Sequence, residues 1–459
     1  MDIIEHIAPE TLQVIKEGIA QEYKIIPFEV SGGCCRCYGI SGIEYDDTIP
    51  LLSVFCNLKI EIYLLDEADF HRVWIKNYRA SKTVSLGDDN FLNSLIDEAY
   101  ENWCSDIHLE CYENRCRIRF RIDGRLIERY VLEKSQYVVL INQIKIKSAL
   151  DIAEKRLPQD GRIFYNVGAV KFDVRVSVMP TVYGEKAVMR LLTRQPELLD
   201  LRNLGLNEYQ YASYLSAVRK PHGMIVISGP TGSGKSTTLY ATLRLLNDES
   251  RNILTVEDPI EYTLDGVNQV QTKDEIGMDF SLALKSFLRQ DPDVIMVGEV
   301  RDSETAQIAV RSSLTGHLVL STLHTNDALG CVSRLKEMGV SSYLLADTLK
   351  LLVAQRLIRI LCPKCKREYV YKDRVRFFRA VGCEECYYTG YKGRKAIYEV
   401  IPFTDELAEK VRNNTSLLHD DIDKMGVVTL EESAVKLLKE GLTSVEEVSS
   451  FINIDIHDF

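Results

Sequence analysis

Gly229-Pro-Thr-Gly-Ser-Gly-Lys235-Ser236-Thr237 follows an apolar run, Ile225-Val226-Ile227, and precedes an apolar-periodic segment, Leu239 to Leu246. A strand that delivers a glycine-rich turn into a helix is the setting a phosphate-binding loop needs. Backbone N–H groups of the turn point at phosphate oxygens, and the helix adds the positive end of its dipole. Gly229, Gly232 and Gly234 allow backbone conformations and close approaches that a side chain would block. Lys235 is expected to reach the β/γ-phosphates and the Ser236 hydroxyl to bind Mg²⁺, with Pro230, Thr231, Ser233 and Thr237 completing the loop. A turn that binds nothing fits poorly, because Lys-Ser closes the pattern at the required spacing. The chain is expected to bind a nucleoside triphosphate.

Outward from the loop, the pattern from about Leu201 alternates strands with helices. Strands are expected at Met224 to Ser228, Ile253 to Val256, Val294 to Val297 and Leu318 to Thr322. Such alternation implies a mostly parallel α/β sheet with ligands at the carboxyl ends of its strands. At the first such end stands Thr255-Val-Glu257-Asp258-Pro-Ile-Glu261, whose three carboxylates suit the orientation of Mg²⁺ waters and the acceptance of a proton from attacking water. At the second, Asp291-Pro-Asp293-Val-Ile-Met-Val-Gly298-Glu299-Val-Arg301-Asp302 carries a carboxylate out of an apolar strand. Gly298 takes the place of the usual Asp, so Glu299 acts alone or shares the work with the earlier acidic loop. The third is Gly316-His317-Leu-Val-Leu-Ser321-Thr-Leu-His324-Thr325-Asn326. A lone histidine is more often structural, yet the polar Ser321, Thr322, Thr325 and Asn326 favour His324 as a sensor near the γ-phosphate.

Cys362-Pro-Lys-Cys365 and Cys383-Glu-Glu-Cys386 match a structural zinc site of four thiolates. Redox use would need only one pair, and a closed four-cysteine site leaves no position for substrate. Cys34, Cys35 and Cys37 lack a second pair at ligand spacing and make a poor tetrahedral site.

The chain has 459 residues, about three domains by length. Lys and Arg number 56 against 67 Asp and Glu, a net charge of -11 that argues against a large nucleic-acid footprint. No run has the apolar length of a membrane span, and the start lacks a secretory layout, so a cytoplasmic protein is expected. Its twelve cysteines then read as thiols or metal ligands rather than a disulfide framework.

Residues 1–79 suggest a small mixed domain. Its expected parts are an amphipathic start (Leu12, Ile15, Ile19) leading to the segment Tyr23 to Val30, a Gly/Cys-rich turn, strand-like content over Leu51 to Leu65, and a closing segment from Asp66 to Tyr78 with Phe70, Val73 and Trp74 at helical spacing. Residues 80–90 read as a linker. A second domain follows over 91–200, with a helix at Leu92 to Tyr100 and a hairpin from Cys116 that turns at Asp123-Gly124. Further strands are expected at Arg162 to Asn166, Phe172 to Val178 and Ala187 to Leu192. The hairpin carries Arg115, Arg117, Arg119, Arg121, Arg125 and Arg129. A solvated strand face is the ordinary reading; the sharper one is an arginine finger reaching a neighbour's triphosphate, from here or from Arg162, Arg175 or Arg190.

Taken together, the phosphate loop, the acidic box at Thr255 to Tyr262, the atypical Walker B at Asp291 to Thr305 and the histidine box at Gly316 to Ala328 resemble the secretion ATPase superfamily. Within it they resemble the type II secretion and type IV pilus assembly ATPases. Ser105 to Glu110, Leu157-Pro-Gln-Asp-Gly161-Arg162, the segment at Arg175, Gly184-Glu185 and Gly390-Tyr391-Lys392-Gly393-Arg394 resemble its other signatures, so the likeness covers about residues 88–450. The resemblance implies an α/β fold: a RecA-like P-loop NTPase domain over 201–459 with a four-cysteine zinc subdomain at 361–396, a preceding PAS-like α+β domain, and a small N-terminal domain. It implies a homo-hexamer using ATP, Mg²⁺ and Zn²⁺, with Lys235 and Ser236 on phosphates and Mg²⁺, Glu261 as general base and Glu299 supporting the metal. His324 falls on the histidine box, and Arg175 and Arg190 supply phosphate contacts. An inner-membrane platform protein and the cytoplasmic part of a membrane-associated assembly protein are the implied partners, the latter through the N-terminal domain. Such a protein is cytoplasmic and peripheral to the inner membrane, without stable nucleic-acid binding. Pilus retraction and DNA transport are the alternatives; the zinc pair and N-terminal domain favour assembly.

Overall fold

A computed structural model describes residues 7, 9–12, 14, 15, 17–77, 82, 83, 90–167, 170–192, 200–371, 375–415, 417 and 419–450. The chain divides into two units: Met1–Ile163 with Arg175–Arg190 and Ile360–Gly393, and Phe164–Val174 with Leu191–Arg359 and Arg394–Phe459.

In the first unit, β1 (Ile25–Ser31), β2 (Cys34–Ile40) and β3 (Lys59–Leu65) form a sheet in that order. Phe28 of β1 stacks on Tyr38 of β2 with ring centroids 4.0 Å apart. Two expectations are corrected here. Cys34, Cys35 and Cys37 lie in β2 rather than in a turn, because the turn is confined to Gly32-Gly33 and Cys35 and Cys37 pack into the core. The apolar stretch from Leu51 begins as a helix, Thr48–Cys56, which ends at Asn57 in the left-handed conformation. A short apolar run reads equally as strand or helix, and its faces decide: only Leu52 is fully buried. The helix Glu67–Asn77 follows. Of the expected linker, only Lys82, Thr83 and Asn90 fall within the described residues; Lys82–Thr83 is β4.

β4 joins β5 (Asp106–Cys111), β6 (Cys116–Ile122), β7 (Arg125–Leu132), β8 (Gln159–Val167), β9 (Val170–Thr181) and β10 (Gly184–Leu192) in a sheet ordered β4-β7-β6-β5-β10-β9-β8. Between β6 and β7, Asp123 and Gly124 both take positive φ, 50° and 83°, the mirror-image turn that matches strand twist and that Asp-Gly supplies at little strain. Period-two alternation puts Ile118 and Phe120 in the core and the intervening arginines on the opposite face. There Glu110 holds Arg117 at 2.9 Å and Arg119 at 2.7 Å, while Asp106 holds Arg121 at 3.3 Å. Glu128 lies 3.7 Å from Arg115, and Arg129 pairs with Glu98. These hairpin arginines are therefore committed to ion pairs inside their own domain.

The cysteine segment belongs to this unit. Tyr387 lies under Arg129 with the guanidinium 4.5 Å from its ring centroid, and its hydroxyl bonds to Asn102. The Gly393 N–H donates to Asp123 at 2.8 Å. A small hairpin, β17 (Arg367–Tyr371) and β18 (Val375–Arg379), rises between the two cysteine pairs.

The second unit is built on β11 (Gly223–Ser228), β12 (Ile253–Glu257), β13 (Asn268–Gln271), β14 (Val294–Val297), β15 (Leu318–Leu323), β16 (Leu349–Leu361) and β19 (Tyr391–Pro402), in the order β13-β12-β14-β15-β11-β16-β19. The pairs from β13 through β16 are parallel. Alternate residues feed two cores: Val226, Ile295, Val319 and Leu352 on one face, Ile225, Met296, Leu320 and Val353 on the other. Burial of both faces explains why these strands read as continuous apolar runs. It also leaves the carboxyl edge, where the runs break into polar residues, as the place for chemistry.

Candidate active site

β11 ends at Ser228, and the chain turns through the loop into the helix Lys235–Leu246. Gly229 and Gly234 take φ of 148° and 91°. A Cβ on Gly229 would stand 2.4 Å from the carbonyl oxygen of Gln355, and one on Gly234 2.7 Å from its side-chain nitrogen. Both glycines are thus required by conformation and by space. Lys235 bends over the loop and donates to the carbonyl oxygens of Gly229 and Pro230 at 2.7 and 3.1 Å. The Ser233 hydroxyl is buried without a hydrogen-bond partner among the described residues, an unpaired donor inside the glycine-rich loop. Such an orphan is what a phosphate oxygen would satisfy, so the loop fits a nucleotide. Ser236, in the first turn of the helix, is exposed.

Geometry sorts the three carboxylates after β12 into three roles. Glu257 is buried and fully engaged: it accepts from Thr255 Oγ1 at 2.6 Å, from Gln269 at 3.1 Å and from the Tyr240 hydroxyl. It is part of the scaffold. Asp258 lies 3.7 Å from Arg301. Glu261 is half-buried, and its carboxylate has no hydrogen-bond or ion-pair partner among the described residues. Its N–H is held at 3.2 Å by the same Tyr240 hydroxyl that donates to Glu257, so a tyrosine of the loop's helix fixes the acidic segment.

Glu299 leaves the end of β14 with a side chain 15% exposed. It pairs with Arg301 and lies 3.4 Å from His324 Nε2, at the end of β15. Lys235 feels it too: burial lowers the lysine pKa, the Glu299 charge opposes that, and Arg356 adds to it. The glycine in the usual Asp position has a packing cause. A Cβ on Gly298 would sit 3.2 Å from the Val256 carbonyl oxygen and 3.4 Å from the Glu257 Cα, while the Gly298 carbonyl accepts from Thr322 at 2.7 Å. Asp302 is an N-cap, accepting from the Thr305 N–H at 2.8 Å. Of the arginines expected to reach phosphate, Arg190 is exposed and 2.8 Å from Asp106, and Arg175 is half-buried on β9.

The sulfurs of Cys362, Cys365, Cys383 and Cys386 all lie within 4.8 Å of one another, with Cys362–Cys383, Cys365–Cys386 and Cys383–Cys386 at 3.8, 3.7 and 3.8 Å. A tetrahedron with Zn–S bonds of about 2.3 Å has edges of about 3.8 Å, so the donor set fits zinc. The Gly382 and Gly390 N–H groups point at Cys365 and Cys386 sulfurs, both at 3.3 Å, the outer bonding expected around thiolate ligands.

Sequence reasoning missed Tyr240, Gln355 and Arg356. The last two had a signal, a polar pair interrupting the apolar β16; Tyr240 had none, because its partners lie beyond the helix that carries it.

Residues 88–450 match the family model described as "Type II/IV secretion system protein". The type II secretion system protein E of Pseudomonas aeruginosa is 47% identical over 371 residues, 78% of this chain and 74% of that protein. The type IV pilus assembly ATPase PilB of Myxococcus xanthus is 40% identical over 494 aligned positions, 96% of this chain and 86% of that protein. Among solved structures, the pilus retraction motor PilT with bound ADP superposes with a TM-score of 0.55 at 27% identity, covering 80% of this chain and 98% of that one. The Legionella pneumophila ATPase DotB gives 0.61 at 22% identity over 78% and 94%, a likeness of fold. No helix among the described residues is long and apolar enough to cross a membrane.

Proposed function

Because this chain belongs to the type II/IV secretion system protein family and is one of its ATPases, we propose that it works as a homo-hexameric motor, peripheral to the inner membrane, which assembles a type IV pilus or a type II secretion pseudopilus. The observation that carries the reading is the convergence at one sheet edge of the glycine loop, Glu261, whose carboxylate has no partner among the described residues, and the Glu299–His324 pair. Five of the six arginines of its basic hairpin pair with carboxylates of the same domain, which weighs against a nucleic-acid grip. The reach of the pilus-assembly relative, 96% of this chain, favours the pilus arm.

In the proposed mechanism the loop N–H groups and the Ser233 hydroxyl bind phosphate oxygens, and Lys235 leaves its carbonyl partners for the β/γ-phosphates. Mg²⁺, when bound, neutralises phosphate charge; Ser236 and Glu299 would hold it. Glu261 accepts the proton of the attacking water, being the carboxylate left free for it. His324, 3.4 Å from Glu299, reports the state of the site to the end of β15. Arg175 and Arg190 act on a neighbouring subunit's triphosphate. Cys362, Cys365, Cys383 and Cys386 would hold Zn²⁺ as a structural ion. Residues 1–79 dock on a membrane-associated assembly protein, 91–200 carry the arginines, and 201–459 hydrolyse ATP.

The reading is tested by measuring turnover with and without the cytoplasmic domain of the platform membrane protein encoded beside prepilin genes. Stimulation by that domain supports it, and neither binding nor stimulation would overturn it.

A further inference from the structure

β16 reads Leu349-Lys-Leu-Leu-Val-Ala-Gln355-Arg356-Leu-Ile-Arg359-Ile-Leu361, an apolar strand interrupted by a glutamine and an arginine. Register locates the interruption. Ser228, the last residue before the phosphate loop, faces Ala354 in the parallel pair, so the next residues of β16 run beside the loop. Gln355 has a defined task there: its carbonyl crowds Gly229, and its side chain accepts from Thr238 at 2.9 Å. Arg356 has none of comparable strength. Its guanidinium is half-buried and donates to the Asn326 carbonyl oxygen at 3.2 Å and, at 3.5 Å, to that residue's side-chain oxygen. No carboxylate pairs with it among the described residues. Arg359, three positions on, shows the contrast: it is clasped by Glu447.

Withdrawing a guanidinium from water without a counter-charge is unfavourable, and burial depresses its pKa accordingly. The same charge bears on Lys235 and lowers that pKa as well. The carboxylate that bears on Lys235, Glu299, already pairs with Arg301 and lies beside His324. Two cations thus share the mouth of a loop suited to phosphate, and the arginine is tethered to Asn326, two residues after His324.

We propose that Arg356 is a phosphate-contacting residue acting within its own subunit, binding a terminal oxygen of the nucleoside triphosphate and conveying its presence through Asn326 to the His324 loop. The inference rests on the nucleotide reading of the Gly229–Thr237 loop. It explains a half-buried cation that pairs with no carboxylate among the described residues. It also gives the site a detector of the γ-phosphate that does not depend on a neighbouring subunit.

The test uses the full chain and its Arg356→Gln and Arg356→Lys variants, with melting temperature and affinity measured for a non-hydrolysable Mg-ATP analogue and for Mg-ADP. Removing an unpaired cation should leave the melting temperature of nucleotide-free R356Q equal to or above wild type. Affinity for the ATP analogue should fall about tenfold, the loss of one charge-assisted bond, while ADP affinity stays within about twofold. R356K, which keeps the charge without the fork, should fall between. Equal losses for both nucleotides, an unchanged affinity for the ATP analogue, or a lower nucleotide-free melting temperature with unaltered nucleotide preference would each overturn the proposal. Lys235→Ala is the companion control. If wild type binds neither nucleotide, the loop reading itself fails; if Lys235→Ala loses both while R356Q loses neither, only the role of Arg356 fails.

Discussion

Glu257, Asp258 and Glu261 lie within five positions of one another, and only the family resemblance, not their spacing, singles out Glu261. Partners separate them: Glu257 is consumed by Tyr240, Thr255 and Gln269, Asp258 faces Arg301, and the Glu261 carboxylate has no partner among the described residues. Glu261→Gln should therefore keep nucleotide affinity near wild type and lower turnover by about 10²-fold or more, the range of a lost general base. Phosphate-release kinetics beside a binding titration checks this, and near-normal turnover would remove Glu261 from the role. Gly298 permits a second prediction. Its Cβ position lies 3.2 Å from a backbone oxygen that cannot yield easily, so Gly298→Ala should destabilise the fold by about 1–3 kcal/mol in urea denaturation. A neutral result would mean that β14 shifts freely and that the missing Asp needs another cause. The phosphate loop itself was legible because every residue it needs is adjacent in sequence. Tyr240 was not, because its meaning comes from contacts made beyond the helix that carries it, and Arg356 was marked only as a polar break in an apolar strand.

Among the elements, four parallel strands of the second unit, β11, β12, β14 and β15, are legible to within a residue or two of their ends, since burial on both faces leaves an unbroken apolar signature; β13 and β16 are not among the expected strands. The helix Thr48–Cys56 was misread for the converse reason: Leu51, Val54 and Phe55 are exposed, so its apolar content does not report a buried stripe. The β5–β6 pair carries its own test. Burial of Glu110 opposes ionisation, but hydrogen bonds from Arg119 and Arg117 outweigh it and pull its pKa from 4.5 to about 2. A depressed carboxylate pKa stabilises the fold above the unfolded value and loses that contribution as pH falls through the folded one. Glu110→Gln should thus be less stable than wild type by about 3 kcal/mol above about pH 4.5, and the gap should close toward pH 2. A gap that does not depend on pH would mean that packing, not charge, sets it. For the cysteine cluster, purified protein should carry about one zinc per chain. Chelation should speed amide exchange in the helix Phe91–Glu101 and at Asp123–Gly124, where Tyr387 and Gly393 make their contacts. Unchanged exchange after metal loss would show that the segment stays docked without its ion.

At the scale of the whole molecule, the cysteine pairs were recognisable in sequence as a metal knuckle, but not their company. Tyr387 against Arg129 joins residues that sequence places far apart, and no local pattern announces it. Assembly is beyond a single chain for the same reason, and it is where the account is most exposed. An ATP site completed by a neighbour's arginines predicts complementation between two differently broken subunits. Chains with Lys235→Ala lack the loop's cation, and chains with Arg175→Ala and Arg190→Ala lack what they lend to the neighbour. Mixed one to one after each is shown to assemble, they should regain Mg-ATP hydrolysis well above either parent, toward the roughly one-quarter of interfaces that random rings complete. Mixed rings no more active than their parents would contradict the account.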